Sequence, residues 1–173
     1  MRLLKIVVLT VVLTSAALAT PFVIYEPPHQ LTEQDVKEVY DNLAKYTGMA
    51  KPPIYVSSSY STINAWWDGE GITITQGFLV RLNSKSELAA ILGHEIAHYT
   101  LDHMDLDGLQ DTRVTEANAD KYSIYLMLRA GYDVCAARRV FENLRETEGD
   151  YLLDDHPPFS VRINALDFPE CDK

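Results

Sequence analysis

The stretch that decides the fold is His94-Glu95-Ile96-Ala97-His98, which stands near the middle of an apolar helical run. Residues four apart lie on one face of a helix, so the imidazoles of His94 and His98 can bind a single metal ion. Glu95 lies about 100° round the helix from His94. It is therefore outside the ligand set but close to the open side of the metal, where a general base is required. The stretch predicts a zinc site with its own general base.

A third metal ligand must follow His98, because a catalytic zinc site uses three protein ligands and keeps one position for water. His103 is a poor candidate, since on a continuing helix it lies about 180° round from His94. The pattern HExxHxxGxxH also fails, because Leu101 stands in place of its glycine and His103 comes one residue early. We interpret His103 as a structural residue that caps the end of the helix.

Glu116 is the predicted third ligand. It lies 18 residues after His98, early on a second helix that a short loop folds back against the first. Asp120 lies on the same face one turn later, where a carboxylate can accept a hydrogen bond from a ligand imidazole and fix its tautomer. The competing interpretation is a solvated acidic face. Against it, this helix is largely apolar, and carboxylates on an apolar helix need partners.

The remaining elements are predicted from capping residues, apolar periodicity and chain breakers. Thr32 is expected to cap a helix that runs to about Tyr46, and Ser84 with Glu87 forms a capping box before the metal-binding helix. The other predicted segments are strands at 54–56, 62–66 and 72–75 in one small sheet, a loop at 105–112, helices at 114–130 and 133–147, a loop at 151–159 and a helix at 160–166.

The N-terminal residues have the pattern of a secretory signal peptide. Arg2 and Lys5 precede an apolar run, and small residues ending at Ala19 form a cleavage site there. The apolar run is shorter than the roughly 20 residues that span a bilayer, so cleavage is favoured over an uncleaved anchor. We predict a signal peptide at 1–19 and one catalytic domain at 20–173 of an exported protein, periplasmic or secreted.

Charge and cysteine content narrow the class of partner. The formal net charge is −10, which disfavours nucleic acid as a main partner. Cys135 and Cys171 can pair in an oxidising compartment and hold the C-terminal tail to the domain. Alternatively, they are one buried cysteine and one idle thiol near the end of the chain. The sequence leaves both possibilities open.

The HExxH stretch followed by Glu116-x-x-x-Asp120 resembles the gluzincin metallopeptidases of the CAAX prenyl protease and HtpX family. The resemblance extends over Asn64-Ala65, Gly71 to Gly77, Ser86 to Gly93, and His156-Pro157 with Arg162 and Ile163 after it. It implies an α+β fold: a zincin-like single catalytic domain, mainly helical, with a small β-sheet before the HExxH helix. The absence of further apolar spans in the sequence makes the chain similar to a small exported branch of that family.

The resemblance implies an exported zinc-dependent metalloendopeptidase with one Zn²⁺ per chain. His94, His98 and Glu116 would hold the metal, and Glu95 would be the general base. The C-terminal element places His156 or Arg162 in the active site. Each of the two has an alternative: a packing corner for the His-Pro loop, and a surface ion pair for the arginine.

The expected partner is an unfolded or damaged polypeptide. We expect it to lie extended along an exposed strand edge at Ile72 to Gln76, because main-chain pairing tolerates many side chains. Asn64 would fix the sheet or hold the substrate backbone. Peripheral membrane association and oligomeric state are left open. The rival hypothesis is an exported zinc-binding chaperone or assembly factor with weak or regulated proteolysis, in which the His156 segment occupies the metal's open position.

Overall fold

A computed structural model describes residues 30–103, 112–150, 156–166 and Cys171, which form six helices and three strands. The α+β class, mainly helical with a small sheet before the HExxH helix, is confirmed. The predicted signal peptide at 1–19 and residues 105–111 of the predicted loop lie outside the described residues. The elements are α1 (Glu33–Ala44), β1 (Ile54–Ser57), β2 (Ala65–Trp67), β3 (Ile72–Thr75), α2 (Gln76–Leu79), α3 (Lys85–Thr100), α4 (Thr112–Ala130), α5 (Cys135–Glu148) and α6 (Phe159–Ala165).

Both predicted N-caps are present. Thr32 caps α1 in a complete capping box with Asp35, although the helix ends at Ala44 rather than at Tyr46. Ser84 Oγ accepts from the Glu87 N–H at 3.2 Å and so begins α3. The carboxylate of Glu87 does not complete the box, because it accepts from the backbone N–H of Asn83 at 2.7 Å instead. The caps therefore fix where the two helices begin.

The three strands form one sheet in the order β1-β3-β2. β3 pairs in parallel with β1 and antiparallel with β2, so it is the middle strand. The prediction of a substrate-binding edge at Ile72 to Gln76 is therefore wrong. Within the described part of the chain, β2 has a strand partner on one side only, and it packs against α3.

Helices α3 and α4 pack closely where Gly93 faces Ser123. A Cβ on Gly93 would lie 2.6 Å from Ser123 Oγ, so glycine is what allows this approach. Ser123 Oγ donates to the carbonyl of Ala90 at 2.8 Å. Glu116 and Asp120 precede Ser123 along the same buried stripe of α4. The contact at Gly93 therefore turns both carboxylates towards α3.

The C-terminal part of the fold is tied by a disulfide. Cys135, the first residue of α5, is bonded to Cys171 with a Cα–Cα distance of 5.5 Å. Of the two interpretations that the sequence left open, the structure therefore shows the disulfide.

No helix in the described ranges is both long and apolar enough to cross a bilayer.

Candidate metal centre

The two histidines of the HExxH stretch lie one turn apart on α3, with their Nε2 atoms 3.0 Å from each other. Helix α4 brings Glu116 between them: Oε2 lies 3.2 Å from His94 Nε2, and Oε1 lies 3.1 Å from His98 Nε2. His156 Nε2 is 3.4 Å from Glu116 Oε2. These four side chains form a group that could hold a metal ion, with one donor atom from each within 4.8 Å of the others.

The geometry of the donor group fits a metal ion better than a set of hydrogen bonds. Glu116 Oε2 is buried and has no hydrogen-bond partner, although His94 and His156 nitrogens lie close to it. In a tetrahedral zinc site with bonds of about 2.0 to 2.1 Å, donor atoms lie about 3.3 Å apart. The four contacts given above, at 3.0 to 3.4 Å, are close to that value, and the donor atoms as a set lie within 4.8 Å of one another. Two imidazoles and a carboxylate are also an ordinary ligand set for zinc.

Asp120 lies on the far side of His94 from the donor group. Its Oδ1 is 2.9 Å from His94 Nδ1, so the carboxylate can accept a hydrogen bond from Nδ1–H, and Nε2 would then be the nitrogen that binds a metal ion. Arg162 donates to the same carboxylate through Nε at 2.9 Å and Nη2 at 2.5 Å. Its guanidinium lies 4.2 Å from the ring centre of Phe141. Arg162, Asp120 and His94 thus form a buried chain that orients one imidazole.

The protonation states follow from burial and these contacts. Burial opposes ionisation of Asp120, but the charge of Arg162 and the hydrogen bonds from His94 and Arg162 hold its pKa well below the usual range. For His94, burial and Arg162 lower the pKa, and the contacts with Asp120 and Glu116 outweigh them and raise it to about 9. Metal binding must therefore displace a proton from His94, which makes it pH-dependent.

Two further groups have shifted pKa values in the metal-free chain. Burial raises the pKa of Glu95, and the nearby His94 and His98 only partly oppose it. A raised carboxyl pKa brings Glu95 nearer to the operating range of a general base. Burial, with the charge of His94 next in importance, lowers the pKa of His156 to about 4. His156 is therefore neutral at pH 7, and its Nε2 can present a lone pair to the donor group.

The sequence model of peptidase family M48 matches residues 30–110 and 108–170. The chain belongs to peptidase family M48. The family resemblance drawn from the HExxH stretch and Glu116 is thereby confirmed, and the chain is a metallopeptidase of that family. No curated protein shows significant similarity to the chain.

In this M48 metallopeptidase, both C-terminal candidates lie at the site, but in different places. His156 belongs to the donor group. Arg162 is not part of that group, but its guanidinium contacts Asp120 and lies 3.1 Å, through Nη2, from His94 Nδ1. The predicted surface ion pair for Arg162 is excluded, because Arg162 is buried. His103 is not part of the donor group, and it lies against His98 because α3 ends at Thr100 instead of continuing.

The sequence did not predict the cavity beside Glu95. This cavity of about 260 Å³ has polar groups, among them His94, Glu95 and Arg162, together with an apolar lining. The apolar side chains come from β2, its preceding loop and four helices: Ile63, Ala65, Phe78, Ile91, Phe141, Leu144 and Phe159. The sequence does show an apolar stripe on α5. An amphipathic helix has such a stripe whether it packs in a core or lines a cavity, so the stripe could not predict the cavity.

Proposed function

We propose that this M48 peptidase is an exported zinc-dependent endopeptidase that hydrolyses unfolded or damaged polypeptides. The observation that carries the proposal is the placement of His94, His98 and Glu116 within the donor group, where Oε2 of Glu116 is buried without a hydrogen-bond partner. Glu95 lies beside that group at the wall of the cavity. A metal site and a buried carboxylate at one cavity wall are the parts that metal-assisted hydrolysis requires.

A zinc ion held by His94, His98 and Glu116 would supply Lewis acidity and lower the pKa of a bound water towards neutrality. Glu95 accepts the proton of the attacking water and passes it to the leaving amine. Asp120 holds the ring of His94 in one tautomer, and Arg162 neutralises the buried Asp120. The two neutral imidazoles and one carboxylate carry a single negative charge, so a divalent ion keeps net positive charge at the site.

Regulated or weak proteolysis in a chaperone or assembly factor is the second candidate, and the position of His156 favours it. Three protein ligands leave a coordination position for water, whereas four close the site. His156 Nε2 lies 3.4 Å from Glu116 Oε2, close enough to be a fourth ligand. In the first candidate the N–H of the same neutral imidazole donates a hydrogen bond to the substrate oxygen on which negative charge develops.

The cavity supports a polypeptide substrate with exposed apolar side chains. A cavity of about 150 Å³ lined by aliphatic and aromatic groups can hold a benzene ring, and this cavity of about 260 Å³ is larger. Because Glu95 lies at its wall and protonates the leaving amine, the occupant is the side chain of the residue that supplies that amine. Folded proteins bury such side chains, and unfolded ones expose them.

The edge strand β2 suits the substrate backbone. It has a strand partner on one side only among the described residues, and Asn64 and Ala65 line the cavity at that end of the sheet. Main-chain hydrogen bonds along β2 would hold an extended segment whatever its other side chains. The substrate edge that we propose is therefore Ala65–Trp67 and not the middle strand.

Export is supported by two features. The N-terminal 19 residues have the charge, apolar run and small residues of a signal peptide. The disulfide between Cys135 and Cys171 is of a kind that forms and persists in oxidising compartments.

A peptide series tests the proposed function. Extended peptides that differ only in the residue after the scissile bond should be cleaved at least about tenfold faster, in kcat/KM, with Leu or Phe there than with Asp. The physical reason is that burying an unpaired carboxylate in the apolar cavity is costly. Mass spectrometry of the products gives the cleavage site and rate.

The outcomes of this series separate the two candidates. Equal rates for Leu, Phe and Asp would contradict the assigned occupant of the cavity. No cleavage of any peptide by the wild type, together with cleavage by His156→Ala, would favour the second candidate. Failure of both proteins to cleave would contradict the proposed peptidase activity on extended polypeptides.

A further inference from the structure

The end of helix α3 returns the chain onto His98. Asp102 has a left-handed backbone conformation with a φ of 54°. Its N–H donates to the Tyr99 carbonyl at 3.3 Å, and the N–H of His103 donates to the His98 carbonyl at 3.0 Å. These two bonds are those of a Schellman motif, which brings the second residue after the cap next to the residue three positions before the cap. Here those two residues are His103 and His98.

The side chains of the two residues are also in contact. The Nδ1 atoms of His98 and His103 lie 3.2 Å apart, and the rings meet edge to face with centres 5.2 Å apart. The other nitrogen of His98, Nε2, faces Glu116 at 3.1 Å. His103 therefore contacts the nitrogen of His98 that points away from the donor group.

We propose that His103 is a positioning residue for the metal centre. In its neutral form it accepts a hydrogen bond at Nδ1 from the Nδ1–H of His98, which leaves the Nε2 lone pair of His98 directed at the metal. Metal-bound histidines usually donate their other N–H to a carboxylate, a carbonyl or a water, and such partners contribute to metal affinity. The inference rests on the metal centre of the proposed function and adds a role for a residue outside the donor group.

The two ligand imidazoles would then be held by different acceptors. Asp120, paired with Arg162, orients His94 from α4. His103 orients His98 from the end of α3, the helix that carries both histidine ligands. A neutral imidazole acceptor adds no negative charge near the metal. The ligand set therefore keeps the positive charge at a divalent ion that activation of water needs.

Substitutions at position 103 separate this role from simple capping of the helix. His103→Phe keeps an aromatic ring and removes the hydrogen-bond acceptor. His103→Ala also removes the acceptor, and its small side chain cannot clash with its neighbours. His103→Asn keeps an acceptor, because the amide oxygen can occupy the position of Nδ1. Leu101→Ala is the control, since Leu101 lies at the same helix end, is exposed and is not part of the donor group.

The measurements are zinc affinity of the full chain by competition with a chromophoric chelator, thermal unfolding without metal, and the absorption spectrum with Co²⁺. We expect His103→Phe and His103→Ala to bind zinc about 10-fold to 100-fold more weakly and to change the Co²⁺ spectrum. Their metal-free unfolding temperatures should match that of Leu101→Ala. His103→Asn and Leu101→Ala should bind zinc nearly as the wild type does.

Three results would overturn the inference. Wild-type zinc affinity in His103→Phe and His103→Ala would show that the acceptor is not needed. An equal loss of affinity in His103→Asn or Leu101→Ala would show that only the shape of the helix end matters. A wild type that binds no zinc would overturn the proposed function and, with it, this inference, so the two failures are distinguishable.

Discussion

Replacing Glu95 by Gln is expected to slow peptide hydrolysis by about 10²- to 10⁴-fold and to leave zinc bound. Glutamine has the size and shape of the carboxylate but cannot accept the proton of the attacking water. Glu95 is buried at the cavity wall and is not part of the donor group, so metal affinity should persist. The measurement is kcat/KM on an unfolded protein substrate, with zinc content determined on the same preparations.

Glu87→Gln is the matched control for that substitution. Glu87 is a second buried glutamate of α3, and its carboxylate accepts from Asn83 N–H at the other end of the helix. The substitution Glu87→Gln should therefore lower the stability of the protein slightly without changing the rate of hydrolysis. Wild-type cleavage by zinc-loaded Glu95→Gln would refute the general-base assignment.

Arg162→Met should lower the free energy of unfolding by about 3 to 5 kcal/mol. Removing one member of a buried ion pair leaves the other charge without compensation, which costs about this amount. The charge left behind is Asp120, which is buried and accepts two hydrogen bonds from Arg162. Methionine can still pack against Phe141, so the loss reports mainly the charge. Equilibrium urea unfolding in zinc-free buffer measures it.

An exposed arginine provides the comparison for Arg162. Arg139 pairs with Asp133 at 2.6 Å, and both side chains are about half exposed, so Arg139→Met should cost at most about 1 kcal/mol. Arg162→Met with Asp120→Asn should recover part of the loss, because the amide no longer needs a cation. If Arg162→Met loses no more stability than Arg139→Met, the buried chain from Arg162 to His94 is not a stabilising unit.

Features that depend on neighbouring residues could be predicted from the sequence. The caps at Thr32 and Ser84 and the one-turn spacing of His94 and His98 are local patterns, and the structure shows each of them. Glu116 was identified by a slightly wider argument, since a carboxylate on an apolar helix must have a partner. These signals were sufficient to place the starts of two helices and to select His94, His98 and Glu116, three of the four members of the donor group.

The error at β3 has a physical origin in contacts between remote segments. The expectation for Ile72 to Gln76 was an exposed strand edge, but Thr75 is buried. Its hydroxyl donates to the Thr62 carbonyl at 2.7 Å and accepts from the Phe78 N–H. A threonine satisfied in this way resembles a solvated one in the sequence. The strand order, which decides which edge is open, is likewise not encoded locally.

The positions of His103 and Arg162 could not be derived from spacing. The angle assigned to His103 assumed a continuing helix, but the left-handed conformation of Asp102 follows the helix end and places His103 against His98. Arg162 reaches Asp120 across 42 positions of sequence, a contact that depends on the packing of α6 against α4. Both cases concern how elements meet, which periodicity within one element does not specify.

Zinc content is the measurement that tests the central claim most directly, made on purified wild type, Glu95→Gln and Glu116→Gln. The wild type and Glu95→Gln should each hold one zinc per chain. Loss of a partner that only hydrogen-bonds to a ligand weakens metal binding by about 10-fold to 100-fold. Glu116→Gln should weaken zinc binding by more than that, because it removes a charged ligand. Undiminished zinc in Glu116→Gln, or no zinc in the wild type, would contradict a metal centre built from His94, His98 and Glu116.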